Sequence, residues 1–413
     1  MNRFQADQEK AISKWLFSRL GSEEFRPGLE RLRTHFQKFK NKLINEGTKV
    51  VTIAGTNGKG QTAFILQELL LSQGHSVSTW SSPHILSIRE RFNLNGTIIS
   101  YEHLNKAIER NFSLADSLSY YEFLFLIFCD VVCERPPQFL ILEVGLGGRF
   151  DAVNIFDAEM TAVTSLSRDH QKILGNRFDQ ILYEKLGVTR SGKKLYTCLE
   201  QKYLREKTEK FCHKSEVEWI DLFEIKQVSN KTDYRKRNYK LAHSMAVDLI
   251  SKKITCDFNM ADSPQIGRWE KVTLGGISFI FIGAHNLDGF RKMTQALCKD
   301  REVHAGKKIN QVLVSFSDRP RKEVKECLNI LSDTRLLFDS LILTYFEHER
   351  AMPKKAVEGL ALVEGKIKFV PNWKQEIYNW QDSGNNVLVT GSYYFIGEVQ
   401  KYIYSNIHTR NDV

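Results

Sequence analysis

From Lys49 to the end of the chain, short runs of β-branched and other apolar residues alternate with longer segments whose apolar positions recur at helical spacing. Parallel sheets covered by helices produce this alternation, so the expected class is α/β. The spacing predicts strands over 49–54, 77–80, 139–143, 160–165, 277–282, 311–316, 340–344 and 386–390. The most apolar stretch, 123–132, reads as a buried helix; it contains Asp130 and falls short of the roughly 18 apolar residues that a membrane helix needs. The alternation breaks once, at Met260-Ala261-Asp262-Ser263-Pro264-Gln265-Ile266-Gly267-Arg268, where Pro and Gly cluster before a second strand-helix series starts. Two domains are expected from this break, 1–264 and 265–413, with ligand binding at their junction.

Composition narrows the picture. A chain of 413 residues with 42% hydrophobic residues can bury the cores of two or three domains, which excludes a disordered tail protein, a collagen and a disulfide miniprotein. The seven cysteines form no CxxC pair, and Cys129 with Cys133 is one helical turn on an apolar helix, so reduced core thiols are expected. The start, Met1-Asn2-Arg3-Phe4-Gln5, has no apolar core with a small-residue cleavage site, so a cytoplasmic location is expected. The net charge of +10 suits an enzyme with polyanionic ligands as well as it suits nucleic acid. The basic runs 205–214 and 234–237 read as solvated helix faces, because they do not interleave aromatics as a single-strand groove does. Nucleic acid is therefore not an expected partner, and neither is a membrane.

The chemistry concentrates at predicted strand ends. Strand 49–54 runs into Gly55-Thr56-Asn57-Gly58-Lys59-Gly60 and then a helix over 61–72. Glycines there let backbone N–H groups turn around phosphate oxygens, the helix start adds partial positive charge, and Lys59 supplies a point charge. ATP is the natural occupant. The common form GxxxxGK[ST] is not met, because Gly60 stands at the hydroxyl position. Strand 139–143 ends in Glu143, a carboxylate whose burial needs a cation, and beside a phosphate loop that cation would be Mg²⁺. His170 follows strand 160–165 and is expected near Glu143. Lys185, in a helical segment over 179–188, reads from spacing alone as a surface lysine.

These motifs together resemble the folylpolyglutamate synthase/dihydrofolate synthase family of the Mur-ligase superfamily. The resemblance begins at Arg26-Pro27-Gly28-Leu29-Glu30-Arg31 and the glycine loop, then passes through Ser81-Ser82-Pro83-His84 and Arg89-Glu90-Arg91-Phe92. It continues in Glu143-Val144-Gly145-Leu146-Gly147-Gly148-Arg149-Phe150-Asp151-Ala152, Asp169-His170 and Glu184-Lys185-Leu186-Gly187. It ends with Gly267-Arg268-Trp269-Glu270, Gly283-Ala284-His285-Asn286 and Thr390-Gly391-Ser392.

The resemblance implies an N-terminal P-loop, ATP-binding domain of Mur-ligase type with a largely parallel sheet, and a smaller Rossmann-like α/β C-terminal domain of glutamate-ligase type. It also implies a monomeric, ADP-forming amide ligase in which ATP phosphorylates a pteroate or folate carboxylate and the amine of glutamate attacks the acyl phosphate. Two Mg²⁺ ions are implied, one held by Ser82 and Glu143 with the ATP phosphates, the other by His170 and a carbamylated Lys185. Gly55 through Gln61, Asn238, Arg268 and His285 match nucleotide-binding positions; Ser82, Pro83, His84, Arg91, Phe150, Asp151 and Ala152 match the acceptor side. Lys59, Glu143, His170 and Lys185 are the catalytic set.

Four positions depart from the family pattern. Ile282 replaces an Asp before Gly283-Ala284-His285-Asn286, Gln61 replaces a Ser, Tyr234-Arg235 stands where His-Gln is expected, and Arg168 replaces an apolar residue. A lost hydrogen bond to a charged group costs roughly 1.5–3 kcal/mol, which lowers nucleotide affinity without abolishing turnover. The alternatives are a related ligase acting on a different carboxylate and a nucleotide-binding interaction protein without catalysis.

Overall fold

The computed structural model of the chain describes residues 3–23, 26–225, 227–229, 232–254, 265–304, 308–334, 337–363 and 367–407. It divides into two compact units, Met1–Phe258 and Asn259–Val413. The boundary expected at 264/265 borders 255–264, which lie outside the described residues.

Eight strands form the sheet of the first unit: β1 Lys49–Ala54, β2 Val77–Trp80, β3 Phe92–Leu94, β4 Thr97–Ile98, β5 Phe139–Glu143, β6 Met160–Val163, β7 Lys194–Thr197 and β8 Glu218–Asp221. Their order is β4-β3-β2-β5-β1-β6-β7-β8. All neighbours pair in parallel except the β2-β3-β4 edge. The chain leaves β1 toward β2 on one side and later crosses from β5 to β6 on the other. The reversal therefore falls beside β1, and ligands of open α/β sheets bind at such a point, outside the carboxyl ends of the strands. The register places Ile53 beside Glu143 and Ala54 beside Val163, so the glycine loop, Glu143 and the segment after β6 emerge on one edge.

The core of this unit is built around helix Tyr120–Val132, whose start carries a capping box between Ser119 and Glu122. Arg31 also bonds to Glu122, fastening the helix to the N-terminal segment. Phe125 lies 5.4 Å from Phe36, 5.4 Å from Trp80 and 6.0 Å from Phe156, joining the helix to the sheet.

The second unit carries β9 Arg268–Leu274, β10 Ile277–Ile282, β11 Ile309–Val314, β12 Phe338–Leu343, β13 Lys368–Phe369 and β14 Asn386–Thr390. The order is β13-β12-β11-β14-β10-β9, parallel except for the β9-β10 hairpin. Both sheets thus end in an antiparallel hairpin whose two-residue turn is left-handed: Asn95 and Gly96 in one, Gly275 and Gly276 in the other.

Expectations change in the first unit. Strand β6 stops at Val163, because Thr164 and Ser165 turn to bind the glycine loop. The basic runs are not simply solvated: the side chain of Arg205 is 16% exposed beside Asp221 and that of Arg237 is 9% exposed beside Glu200. Their guanidinium groups lie 5.0 and 5.6 Å from the Phe223 ring, each consuming charge inside the unit. Among the described residues six cysteines are free thiols and five of these are buried, whereas Cys256 lies outside the described residues. No helix among the described residues is long and apolar enough to cross a membrane.

Because Phe125 is fully buried between helix and sheet, Phe125→Ala is expected to cost about 3–5 kcal/mol. Urea unfolding followed by circular dichroism measures it; a loss below about 1 kcal/mol would show that this contact is not central.

Candidate active site

Two glycines shape the loop after β1. Gly55 has φ 147° and Gly58 φ 90°. A Cβ on Gly55 would stand 2.0 Å from Thr164 Oγ1, and one on Gly58 would stand 2.7 Å from Asn238 Oδ1, so both positions need the missing side chain. Gly58 is also the N-cap of helix Lys59–Ser72 and no side chain caps it, which turns the positive end of the helix toward the loop.

The loop is held from the far side by the segment after β6. Thr56 N donates to Ser165 O at 2.9 Å, Asn57 N to Ser165 Oγ at 2.9 Å, and Ser167 N to Thr56 Oγ1 at 3.1 Å. The Asn57 carbonyl accepts from Thr164 Oγ1 at 2.7 Å and Ser165 Oγ at 2.8 Å. The loop is thus preformed, and Thr164, Ser165 and Ser167 are functional neighbours that sequence reading missed. Their signal was a cluster of hydroxyls just past a strand expected to run straight through them.

Glu143 closes β5 with 2% exposure, and its Oε2 accepts from Ser82 N at 3.1 Å. The two residues expected to share a cation are therefore in contact. Lys59 Nζ donates to Thr56 O at 3.2 Å, keeping the ammonium over the loop.

Lys185 departs from the reading its spacing alone gave, which the resemblance had already replaced. It is 3% exposed, and its Nζ donates to Gly55 O at 2.9 Å. Burial, with the nearby Lys59 charge second, pulls its pKa down to about 7, against the opposing pull of Asp169, Asp151 and Glu184. The glycine-rich stretch was the signal for this burial: a Cβ on Gly148 would stand 2.9 Å from Glu184 O, and one on Gly187 would stand 2.6 Å from Arg149 Cβ. Helix Phe178–Leu186 thus lies directly against the loop that follows Glu143. His170 sits at the start of the short helix Gln171–Leu174 with φ 49° and a side chain that is 55% exposed. Its N donates to Asp169 Oδ1 at 2.9 Å, and Asp169 is one of the charges acting on Lys185.

The acceptor-side candidates are largely engaged by their own chain. Arg91 is fully buried, grips Glu23 with both terminal nitrogens at 2.8 and 2.9 Å, and donates from Nε to His84 Nδ1 at 3.0 Å. Asp151 accepts from Leu146 N at 2.9 Å, Val153 N at 3.1 Å and Tyr121 OH at 3.1 Å; burial nevertheless pushes its pKa up to about 6. Ala152 is buried behind it, Phe150 is half-buried under the Arg149 guanidinium, and Pro83 is exposed.

Asn238 Nδ2 donates to Gln61 Oε1 at 2.7 Å, so the departure at Gln61 is matched by a partner. In the second unit, Arg268 and His285 converge on Tyr393, 5.9 and 5.4 Å from its ring. Arg319 bonds to the His285 carbonyl. Ile282 is buried in the apolar cluster with Phe290, Met293 and Val314, which explains how the chain tolerates an aliphatic residue there.

No protein-family model matches the chain. The dihydrofolate synthase/folylpolyglutamate synthase of Bacillus subtilis is 25% identical over 94% of this chain and 97% of its own length. Escherichia coli FolC, solved with DHPP and ADP, superposes with a TM-score of 0.76 at 22% identity over 95% of this chain and 98% of that one. The bifunctional enzyme of Yersinia pestis, solved with AMPPNP and manganese, gives a TM-score of 0.75 at 23% identity over 96% and 98%. The two sheets thus share the fold of these two-domain α/β structures. Over nearly its whole length the chain is similar to a dihydrofolate synthase/folylpolyglutamate synthase.

The depressed Lys185 pKa predicts a pH dependence of stability. The folded pKa lies below the unfolded value of 10.5, so folding is opposed by protonation; the penalty is absent above about pH 10.5, grows as pH falls toward about 7, and is constant below. Lys185→Met is therefore expected to gain stability relative to the parent as pH falls from about 10 to about 7, measured by urea unfolding at both ends. A difference that does not change with pH would contradict a buried amine.

Proposed function

We propose that this chain is an ATP-dependent, ADP-forming ligase that adds L-glutamate to dihydropteroate, to a reduced folate, or to both. The observation that carries the reading is the convergence on one sheet edge of a preformed glycine loop, the buried Glu143 and the buried Lys185 bonded to Gly55. Similarity to a dihydrofolate synthase/folylpolyglutamate synthase supports the substrate class.

In this reading Gly55, Thr56, Asn57, Gly58, Lys59, Gly60 and Gln61 cradle the phosphates, with Lys59 as the mobile charge. Asn238, bonded to Gln61, stands on the nucleotide side of the same unit, and Arg268 and His285 are the further nucleotide-side positions that the resemblance implies. The γ-phosphoryl group passes to a carboxylate oxygen of the acid, forming a P–O bond as ADP leaves. The glutamate amine then attacks the acyl carbon, the C–O bond to phosphate breaks, and the amine loses a proton. Phosphoryl transfer of this kind is mostly positioning and charge neutralisation, which is what the loop and Lys59 provide.

The residues fit magnesium. Among the described residues no group of three or more His, Cys, Asp or Glu side chains could hold a metal. A hard cation bound through one carboxylate and substrate phosphates needs no such cage, and Ser82 with Glu143 offers that oxygen set. Lys185 suits the second role, because a buried amine with a pKa near 7 is substantially neutral at physiological pH and can take up CO₂ as a carbamate beside His170. Bound magnesium would neutralise the phosphate oxygens as charge develops on them.

A second reading has one observation in its favour. The carboxylate of Asp151 and the guanidinium of Arg91 already have partners within the chain, so the acceptor could be a carboxylate other than a pteroate. Phosphate release from ATP, Mg²⁺ and glutamate, compared across dihydropteroate, a reduced folate and unrelated acids, separates the readings. Release dependent on a pteroate or folate is expected; release with another acid alone selects the second, and no release with any acid removes the ligase assignment.

Lys59→Ala and Glu143→Ala are each expected to lower turnover by at least about a hundredfold while unfolding cooperatively. A parental rate in either variant would remove that residue from the site.

A further inference from the structure

Tyr121 belongs to none of the residue sets above, yet its phenol stands where three loops of the edge meet. It lies in the first turn of helix Tyr120–Val132, between the two members of the Ser119–Glu122 capping box, where the helix is fastened. Its oxygen accepts from Trp80 Nε1 at 3.1 Å and donates to Asp151 Oδ1 at 3.1 Å. Trp80 is fully buried among Phe92, Phe125 and Phe128 and lies two residues before Ser82. A Cβ on Gly145 would stand 2.9 Å from Tyr121 ring carbons and 3.0 Å from its oxygen, so the ring bears on the backbone two residues after Glu143. Asp151 in turn accepts from Leu146 N at 2.9 Å, returning the chain of hydrogen bonds to that same loop.

One rigid side chain therefore touches the segments that lead into Ser82, out of Glu143 and through Asp151. We propose that Tyr121 is a positioning residue that sets the distance between Ser82 and Glu143, and with it the oxygen pair available to a divalent cation. The inference rests on the ligase reading only in assigning a cation to that pair. A phenylalanine would fill the same space and keep the contact with Gly145. It would remove the acceptor for Trp80 and one of the donors to Asp151, leaving the buried indole N–H without that partner and the loops less tightly joined.

The test uses the full chain with Mn²⁺ as the probe, titrated by electron paramagnetic resonance in the presence of AMPPNP. Groups that orient metal ligands typically change affinity by about 10- to 100-fold when altered. Tyr121→Phe is expected to weaken Mn²⁺ by at least about tenfold and to lower kcat more than it raises KM for ATP. Tyr196→Phe is the control: it removes a phenol bonded to Asp248 at 2.6 Å in the same unit and is expected to leave Mn²⁺ affinity unchanged. Should Tyr121→Phe fail to fold, Trp80→Phe withdraws the donor to the phenol, together with part of a buried ring, and is expected to weaken Mn²⁺ in the same direction. Parental Mn²⁺ affinity in Tyr121→Phe, or an equal loss in Tyr196→Phe, overturns the inference while leaving the ligase reading standing. A parent chain that takes up no Mn²⁺ with nucleotide refutes both.

Discussion

A buried lysine bonded to the first glycine of the loop is the constraint on which the arrangement of this edge depends. Taking an amine out of water is costly unless it finds partners or loses its proton, and Lys185 does both: it donates to Gly55 O and its pKa falls to about 7. To bring Nζ to that carbonyl, helix Phe178–Leu186 must lie against the stretch after Glu143, which is possible only because Gly148 and Gly187 lack side chains. The same carbonyl belongs to a residue whose own close approach to Thr164 excludes a Cβ. The glycines at 55, 148 and 187 are thus three consequences of one buried amine.

How much of this was legible in the sequence depends on how locally each feature is encoded. Strands β1, β2, β5, β10 and β14 have the bounds expected from their apolar runs, because they are flanked by other strands and need apolar residues on both faces. Strands β3, β4, β7, β8, β9 and β13 were not expected, and each lies at or next to a sheet edge, where polar residues such as Glu218 and Lys271 are tolerated. The Asn95-Gly96 pair was a readable hairpin signal, but the strands it joins are too short to show alternation. In the site, Lys59 and Glu143 were legible because a strand end and a glycine loop announce them. Lys185 was not, because its burial is decided by a neighbour some forty residues earlier in the chain.

The departures from the family pattern look less damaging once their surroundings are known. Gln61 does not leave a hole at the start of the loop helix, since Asn238 holds its amide oxygen. Arg235 is bonded to Asp233, the N-cap of helix Tyr234–Ile250, and so serves the start of the helix that presents Asn238. Arg168 lies 5.2 Å from the Phe178 ring, covering the helix that carries Lys185. Ile282 differs from these three: it is absorbed into the apolar core of the second unit and offers no polar group in return. Any cost to nucleotide affinity therefore concentrates at Ile282.

On the acceptor side the physics is reversed. Lys59, Ser82 and Glu143 gather on the phosphate side, but Asp151 and Arg91 are saturated by hydrogen bonds from their own chain. In the proposed reading, which puts Arg91 on the acceptor side, an incoming acid either displaces Glu23 from Arg91 or is recognised without it. Displacement exchanges one carboxylate for another around an already buried guanidinium, so the desolvation cost of that cation has been met in folding and need not be met again on binding. Recognition can then be selective at little cost in affinity, provided the acid presents a carboxylate in the position Glu23 now holds.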